Sequence, residues 1–387
     1  MNNINNINFN SINSIGAINT ENSTLYTADG TPIYKLDSDI SNSLDKTTLI
    51  FGGTGSGKTT MVEEIMYICR KYIPVYLVIA PITSSEPYRK KLPARCVKED
   101  LTKKCMMQIW ERQTRLTEVY KVANDINILS SLFNMTEDVK PKILISGILN
   151  ASNQYIRKIV SNKSLNFAQQ KTQLQYIEEK KNTKIIEIYK KTIERNRDFL
   201  LKKNLTDKQL SAIKYLDLNP RLMLVLDDCT EKFSSWMKMF KKTEENIFES
   251  ILYRGRHNFI TLIFAAHDDK IVPTELRKNA RVTKFGNSQA LMASIGKAGN
   301  AYTNTEKKLA SRVAEKIFVD APVRGIKNHQ KVCYVRDDPH PFQYTIANVY
   351  PDIKLGCPQL WELAERFPKD DERFSNNPFV KNLRRKM

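Results

Sequence analysis

The chain has 387 residues, 41% of them hydrophobic, which is enough for a sizeable core and too many for wholesale disorder. Lysine and arginine number 61 against 42 acids, a net charge of +19, so a polyanionic partner is expected: nucleic acid or an anionic membrane surface. The cysteines (Cys69, Cys96, Cys105, Cys229, Cys333, Cys357) form no C-x-x-C pair and the histidines do not cluster with them, which argues against a zinc site or a disulfide framework and for a reducing compartment.

Residues 1–45 are rich in Asn, Ser, Thr and Ile, with one lysine against five acids. Such a stretch buries little and reads as a flexible or loosely docked arm; lacking a basic and then an apolar region, it is no secretory signal. Residues 47–51 have the character of a short buried strand ending in a glycine loop, and 59–71 that of the helix after it. A second strand is expected over 72–80, closed by Pro81 and a Ser-rich turn. Strand, helix, strand opens a parallel α/β sheet.

Between about residues 100 and 215 the pattern changes. Over 165–201, apolar residues recur at helical spacing (Leu174, Ile177, Ile185, Ile188, Ile193) with no Gly or Pro, which predicts one long helix or a broken pair. Residues 151–215 hold 15 Lys/Arg and 6 Asp/Glu, about half of the whole basic excess, so this face either contacts DNA or is simply solvated. Strands resume over 222–226, 259–266, 331–336 and 342–349, and the tail ends in the basic run Lys381-Asn382-Leu383-Arg384-Arg385-Lys386. The longest apolar runs are strand-length, far short of a bilayer span, so a soluble protein without a transmembrane segment is expected.

The loop Gly52-Gly53-Thr54-Gly55-Ser56-Gly57-Lys58-Thr59 fits the Walker A pattern in full. Its glycines let backbone N–H groups turn inward on phosphates, and the helix after it adds its positive N-terminal end. Lys58 would reach the β- and γ-phosphates of ATP and the Thr59 hydroxyl would hold Mg²⁺, with Thr60 closing the nucleotide-binding run. The run 222–226 leads into Asp227-Asp228, the Walker B pair: Asp227 for the Mg²⁺ shell, Asp228 to orient and deprotonate the attacking water. Many P-loop motors place glutamate second, one methylene longer than Asp228. Tyr253-Arg254-Gly255-Arg256-His257-Asn258 precedes the strand 259–266, which leads into His267. An arginine just upstream of a core strand would sit at the subunit edge of a ring ATPase; in isolation Arg254-Gly255-Arg256-His257 describes an exposed basic turn. His267 stands where a sensor residue would contact the γ-phosphate.

With GGTGSGKTT, then APITSSEPYRKKLP, LVLDD and RGRHNFITLIFAAH in this order, the chain resembles the genome-packaging ATPases of poxviruses and other large nucleocytoplasmic DNA viruses, a branch of the FtsK–HerA superfamily. The resemblance covers about residues 46–100 and 220–350. It implies a homo-oligomeric motor, a pentameric or hexameric ring, that drives double-stranded DNA into a capsid and docks on capsid or virion assembly proteins. Its place would be the viral factory of the host cytoplasm, and the virion. The matching positions would make Lys58 and Thr59 phosphate and metal contacts, Asp227 and Asp228 the Walker B pair, and Arg256 the arginine finger. One departure is His267, where the family usually has glutamine; a neutral imidazole still donates one hydrogen bond.

Other P-loop classes fit less well. A signalling GTPase needs an N-K-x-D motif, absent here, and a nucleoside kinase would leave the charge excess unexplained. A nucleotide-gated assembly scaffold has no need of complete Walker residues, whereas a DNA pump or helicase in replication or segregation would share the same motor core. The expected architecture is α/β: a polar arm over 1–45, a RecA-like P-loop NTPase core over 46–350 with a mostly parallel central sheet and a helical insertion at about 100–215, and a basic tail over 351–387.

Overall fold

The computed structural model describes residues 24–36, 40–162, 164–241, 247–270, 272–300, 302–319, 330–346, 349–350 and 353–366. Its strands are β1 (Leu25–Tyr26), β2 (Pro32–Ile33), β3 (Thr47–Phe51), β4 (Val75–Ile79), β5 (Val97–Lys98), β6 (Leu222–Asp227), β7 (Ile260–Ala266), β8 (Val282–Phe285), β9 (Gln330–Val335) and β10 (Phe342–Ile346). Eight of them form one sheet in the order β10-β9-β8-β3-β7-β6-β4-β5. From β8 to β5 neighbouring strands run parallel; β9 is antiparallel to both β8 and β10. This is the α/β, RecA-like sheet that the motifs imply.

The central strands β6 and β7 are almost wholly apolar because both faces of the sheet are covered there. All residues of β6 and β7 are buried. Alternation along a strand then divides them between two layers. Leu222, Leu224 and Leu226 pack with Leu262 and Phe264 on one face, while Met223 and Val225 pack with Ile263 and Ala265 on the other. Helix α1 (Lys58–Cys69) lies on the second face, burying Met61, Val62, Ile65, Met66 and Cys69. Buried ion pairs join it to its surroundings: Glu64 to Lys284 of β8 at 2.6 Å, and Glu63 at 2.9 Å to Lys91 of α2 (Ile82–Lys91).

The position of β7 governs the site. It lies between β3 and β6, with Phe51 opposite Ala266 and Asp227 opposite Ala265, so the carboxyl ends of these strands finish at one edge of the sheet. β7 begins one residue later than the sequence suggests, because Phe259 takes a left-handed conformation (φ 58°) that ends the extended run.

One expectation changes. The Ser-rich stretch after Pro81 is the helix α2 rather than a turn. Ser84 and Ser85 donate back to the carbonyls of Pro81 and Ile82, and Arg89, Lys90 and Lys91 occupy the last turn, where cations favour a helix. Of the two readings of the polar arm, flexible or loosely docked, residues 24–36 take the docked one. β1 and β2 pair antiparallel, Ile33 is fully buried in the main core, and Lys35 bridges Tyr344 of β10. Ile33 carries that anchoring together with partly buried Leu25 and Leu36 and with backbone hydrogen bonds from Leu36 to Tyr344 and from Tyr344 to Tyr34. Residues 1–23 and the basic run 381–386 lie outside the described residues.

Residues Arg115–Leu218 form a compact unit of their own, the chain passing into it within helix α3 (Lys103–Ala123). The helix expected over 165–201 runs Phe167–Arg195, breaks at Asn196 and continues as Arg197–Leu200. Asn166 and Gln169 form a capping box at its start. Leu129, Leu132, Ile193, Leu200, Ile213 and Leu216 make this unit's own small core. Several of its cations are taken up by local ion pairs, Lys181 with Glu178 and Lys184 with Glu187. Among the described residues, no helix is long and apolar enough to cross a membrane.

Candidate active site

The glycine loop leaves β3 at the shared carboxyl edge and enters α1 through Gly57. Gly55 and Gly57 have φ of 74° and 84°, a region open to glycine at no steric cost. A Cβ on Gly52 would collide with the Ser56 side chain, which also packs against Gly286 after β8. These constraints curl the loop so that its amides and the first turn of α1 face one cavity. Gly52 is fixed by donation from its N–H to the Ala266 carbonyl at 3.2 Å. Lys58 is buried, and its Nζ donates to the carbonyls of Gly52 (3.0 Å) and Gly53 (3.3 Å), lying across the loop.

The cavity, about 430 Å³, has Thr54, Gly55, Gly57, Lys58 and Thr59 on one wall. Thr83 and Ser84 of α2 form a second wall, and Asp227, Asp228 and His267 a third. The structure thus brings together the predicted Walker residues and His267. Gly52, Gly53, Ser56 and Thr60, also expected in the nucleotide-binding run, are not among the walls.

Asp227 ends β6 almost fully buried. Its Oδ2 accepts from the Thr59 hydroxyl at 3.2 Å and from the Tyr88 hydroxyl of α2 at 2.6 Å. Its Oδ1 is buried with no hydrogen-bond partner, an orphaned acceptor beside the Thr59 hydroxyl. Hard oxygen donors of this kind suit Mg²⁺, so the donor set fits the metal that the glycine loop implies. Burial pushes the Asp227 carboxyl above the ordinary carboxylate value; the Tyr88 and Thr59 hydrogen bonds and the Lys58 charge oppose that shift, and the Asp228 charge adds to it.

Asp228 adopts a left-handed conformation (φ 57°), which aspartate tolerates better than most residues. This turns its carboxyl away from the strand direction and toward His267, whose Nε2 lies 2.9 Å from Asp228 Oδ1. The turn after His267 is held by buried Asp269, which accepts from Arg277 (3.1 Å), Lys297 (3.0 Å) and Asn300 (2.9 Å). Cys229, next in sequence to the Walker pair, is a buried thiol donating to the Ile79 and Asp227 carbonyls; burial raises its pKa, so it acts as packing and not as a nucleophile.

Arg256 is elsewhere. It sits in the short turn Gly255–Asn258 before β7, exposed, at the opposite end of the strand from His267. There it lines a separate cleft of about 270 Å³ with Lys46, Lys278, Arg281 and Arg336. It therefore takes no part in its own chain's phosphate cavity.

Sequence reasoning missed Thr83, Ser84 and Tyr88. Ser84 and Tyr88 are four apart and share a face of α2, a signal visible only once that segment is known to be helical.

No family model matches the chain. The uncharacterized protein B354L of African swine fever virus (isolate Pig/Kenya/KEN-50/1950) is 30% identical over 385 residues, covering 93% of this chain and 99% of that protein. Its counterpart from isolate Warthog/Namibia/Wart80/1980 matches at the same identity and coverage. Among solved structures, the genome packaging NTPase B204 from Sulfolobus turreted icosahedral virus 2, in complex with ATP-gammaS, aligns at 7% identity and a TM-score of 0.35, covering 80% of this chain and 98% of its own. The pCW3 conjugation coupling protein TcpA aligns at 13% identity and a TM-score of 0.35, covering 88% of this chain and 70% of its own. These are distant likenesses.

Proposed function

The chain belongs to the family of the African swine fever virus protein B354L, and we propose that it is an ATP-driven translocase that packages double-stranded viral DNA into a capsid. The observation that carries the ATPase part is one cavity walled by the glycine loop, Lys58, Thr59, Asp227, Asp228 and His267. In this reading the loop amides and Lys58 hold the β- and γ-phosphates, and Thr59 and Asp227 hold Mg²⁺, which when bound neutralises charge on the phosphate oxygens. Asp228 accepts the proton of the water that attacks the γ-phosphorus, and His267 fixes the orientation of Asp228. Arg256, remote from its own cavity, serves the next subunit of a homo-oligomeric ring.

The DNA part rests on the +19 charge and on the motif order that resembles packaging ATPases. The same motor core would serve a pump or helicase in replication or segregation. Packaging is favoured by the viral origin of the family and by that motif resemblance. In this reading the protein works in cytoplasmic viral factories and in virions, docked on capsid or assembly proteins.

The test is ATP hydrolysis by the pure protein with and without double-stranded DNA of mixed sequence. We expect stimulation with little dependence on base sequence, and DNA affinity falling linearly on a log–log salt plot, with a slope of about −0.9 per phosphate neutralised. Hydrolysis indifferent to DNA, with no DNA binding at low salt, would replace the translocase by a nucleotide-gated assembly protein. Presence of the protein in assembling particles separates packaging from replication.

A further inference from the structure

Tyr88 has no role in the reading above, yet its hydroxyl makes the shortest contact to the Asp227 carboxylate. Its side chain is fully buried, its ring packed in the layer that also covers α1, and Oη lies 2.6 Å from Asp227 Oδ2. Thr59 donates to that same oxygen at 3.2 Å. Donors converging on Oδ2 fix the carboxylate rotamer and leave Oδ1, which has no other partner, as its remaining acceptor.

We propose that Tyr88 is a positioning residue that holds Asp227 in the orientation required to capture the divalent cation accompanying ATP, so that metal capture depends on the seating of α2. The proposal rests on the nucleotide-site reading. Tyr88 never touches the metal; it acts through Asp227, as outer-shell partners of metal-binding carboxylates do.

The seating of α2 is defined by three observations. Lys91 at its C-terminal end pairs with buried Glu63 of α1 at 2.9 Å, Tyr88 bonds to the end of β6, and Thr83 and Ser84 at its N-terminal end wall the phosphate cavity. One ten-residue helix thereby touches the phosphate wall, the metal carboxylate and the helix that follows the glycine loop. A phenol supplies a single donor, so within hydrogen-bond reach of a carboxylate its geometry is set by that bond. Burial and the adjacent Asp227 charge raise the Tyr88 pKa well above its ordinary value, so the hydroxyl remains a donor.

A core aromatic with no further role would behave differently from a positioning residue. Tyr88→Phe keeps the ring and its packing and removes only the donor. The experiment uses the full chain and a fluorescent ATP analogue, titrated in EDTA and then against MgCl₂. Tyr88→Phe should bind the analogue in EDTA as wild type does, while the Mg²⁺ concentration needed for the metal-dependent gain in binding rises about 10–100-fold. In an Asp227→Ala background, Tyr88→Phe should have no further effect on the Mg²⁺ dependence.

A Tyr88→Phe protein with wild-type Mg²⁺ dependence overturns the proposal, as does an undiminished effect in the Asp227→Ala background. If Tyr88→Phe does not fold, 3-fluorotyrosine at position 88 gives a second measurement. Its fluorine resonance should shift when Mg²⁺ is added to nucleotide-saturated protein, and a resonance indifferent to Mg²⁺ overturns the proposal. Wild type that binds no analogue under either condition refutes the nucleotide-site reading itself, whereas wild type that binds it equally with and without Mg²⁺ overturns metal capture and with it the role of Tyr88. The failure of Tyr88 alone is recognised by an intact wild-type response.

Discussion

Arg256→Ala offers the sharpest test of a ring motor, because the fold separates this residue from its own active site. Arg256 precedes β7 and His267 follows it, and the seven residues of that strand span roughly 20 Å at about 3.3 Å each. No arginine side chain bridges that gap, so an effect on hydrolysis has to reach the phosphates of a neighbouring chain. A phosphoryl-transfer transition state spreads charge over the γ-oxygens, and a finger arginine contributes about 10³–10⁵-fold to turnover. Arg256→Ala should therefore bind ATP normally and lose about that factor in kcat, measured by phosphate release with DNA present. Lys58→Ala should be inactive for a different reason, the loss of the phosphate contact in its own chain. Mixed at equal amounts, the two variants leave about a quarter of ring interfaces with intact Lys58 facing intact Arg256, so a comparable fraction of wild-type turnover returns. Near-normal turnover by Arg256→Ala alone refutes the reasoning. So does an inactive mixture in which native mass spectrometry shows mixed rings, and Arg256 would then belong to the basic cleft with Lys46, Arg281 and Arg336.

Further outcomes follow from the same geometry. Asp228→Asn should slow hydrolysis while leaving ATP affinity close to wild type, whereas Lys58→Ala abolishes hydrolysis; equal kcat in Asp228→Asn and wild type would remove Asp228 as the base. Asp227→Asn should raise the melting temperature of the nucleotide-free protein at neutral pH, because burial raises the Asp227 pKa and its ionised form is disfavoured in the fold. With the folded pKa above the unfolded one, that penalty is present above the folded pKa and disappears as pH falls through it, so the gap between the two melting curves should close in acid; a gap that widens in acid would contradict the sign. Lys284→Met leaves buried Glu64 without its cation, with only the Thr345 hydroxyl still donating to it, and should cost about 3–5 kcal/mol in urea denaturation, with the double change Lys284→Met/Glu64→Leu recovering much of the loss. A loss that the second substitution does not reduce would mean that the pair is not the source of the instability.

Features that depend on neighbours in the chain could be read without coordinates. The glycine loop is one, since its φ angles and its strand-to-helix transition are local demands that Gly55 and Gly57 meet themselves. The run into Asp227 is another, because an uninterrupted apolar stretch ending in acids marks a doubly covered strand reaching the edge of a sheet. A helical stretch over 165–201, one long helix or a broken pair, followed from spacing; the break at Asn196 did not. The order of strands is a different matter. Hydrophobic pattern says that a strand is buried on both faces but not which strand lies beside it, so the insertion of β7 between β3 and β6, and with it the meeting of His267 and Asp228, had to come from the packed sheet. The same holds for α2, whose serines favour a turn by local propensity and are overridden by tertiary contacts of Tyr88 and Lys91. Ile33 shows the limit most simply: in a segment this polar it carries no periodic signal, and long-range packing of Ile33, Leu25 and Leu36, with the bridge to β10, decides that residues 24–36 are docked. Local chemistry therefore named most of the residues of this site, while long-range packing, which no short window of sequence encodes, decided which of them meet and which, like Arg256, stand at the far end of a strand.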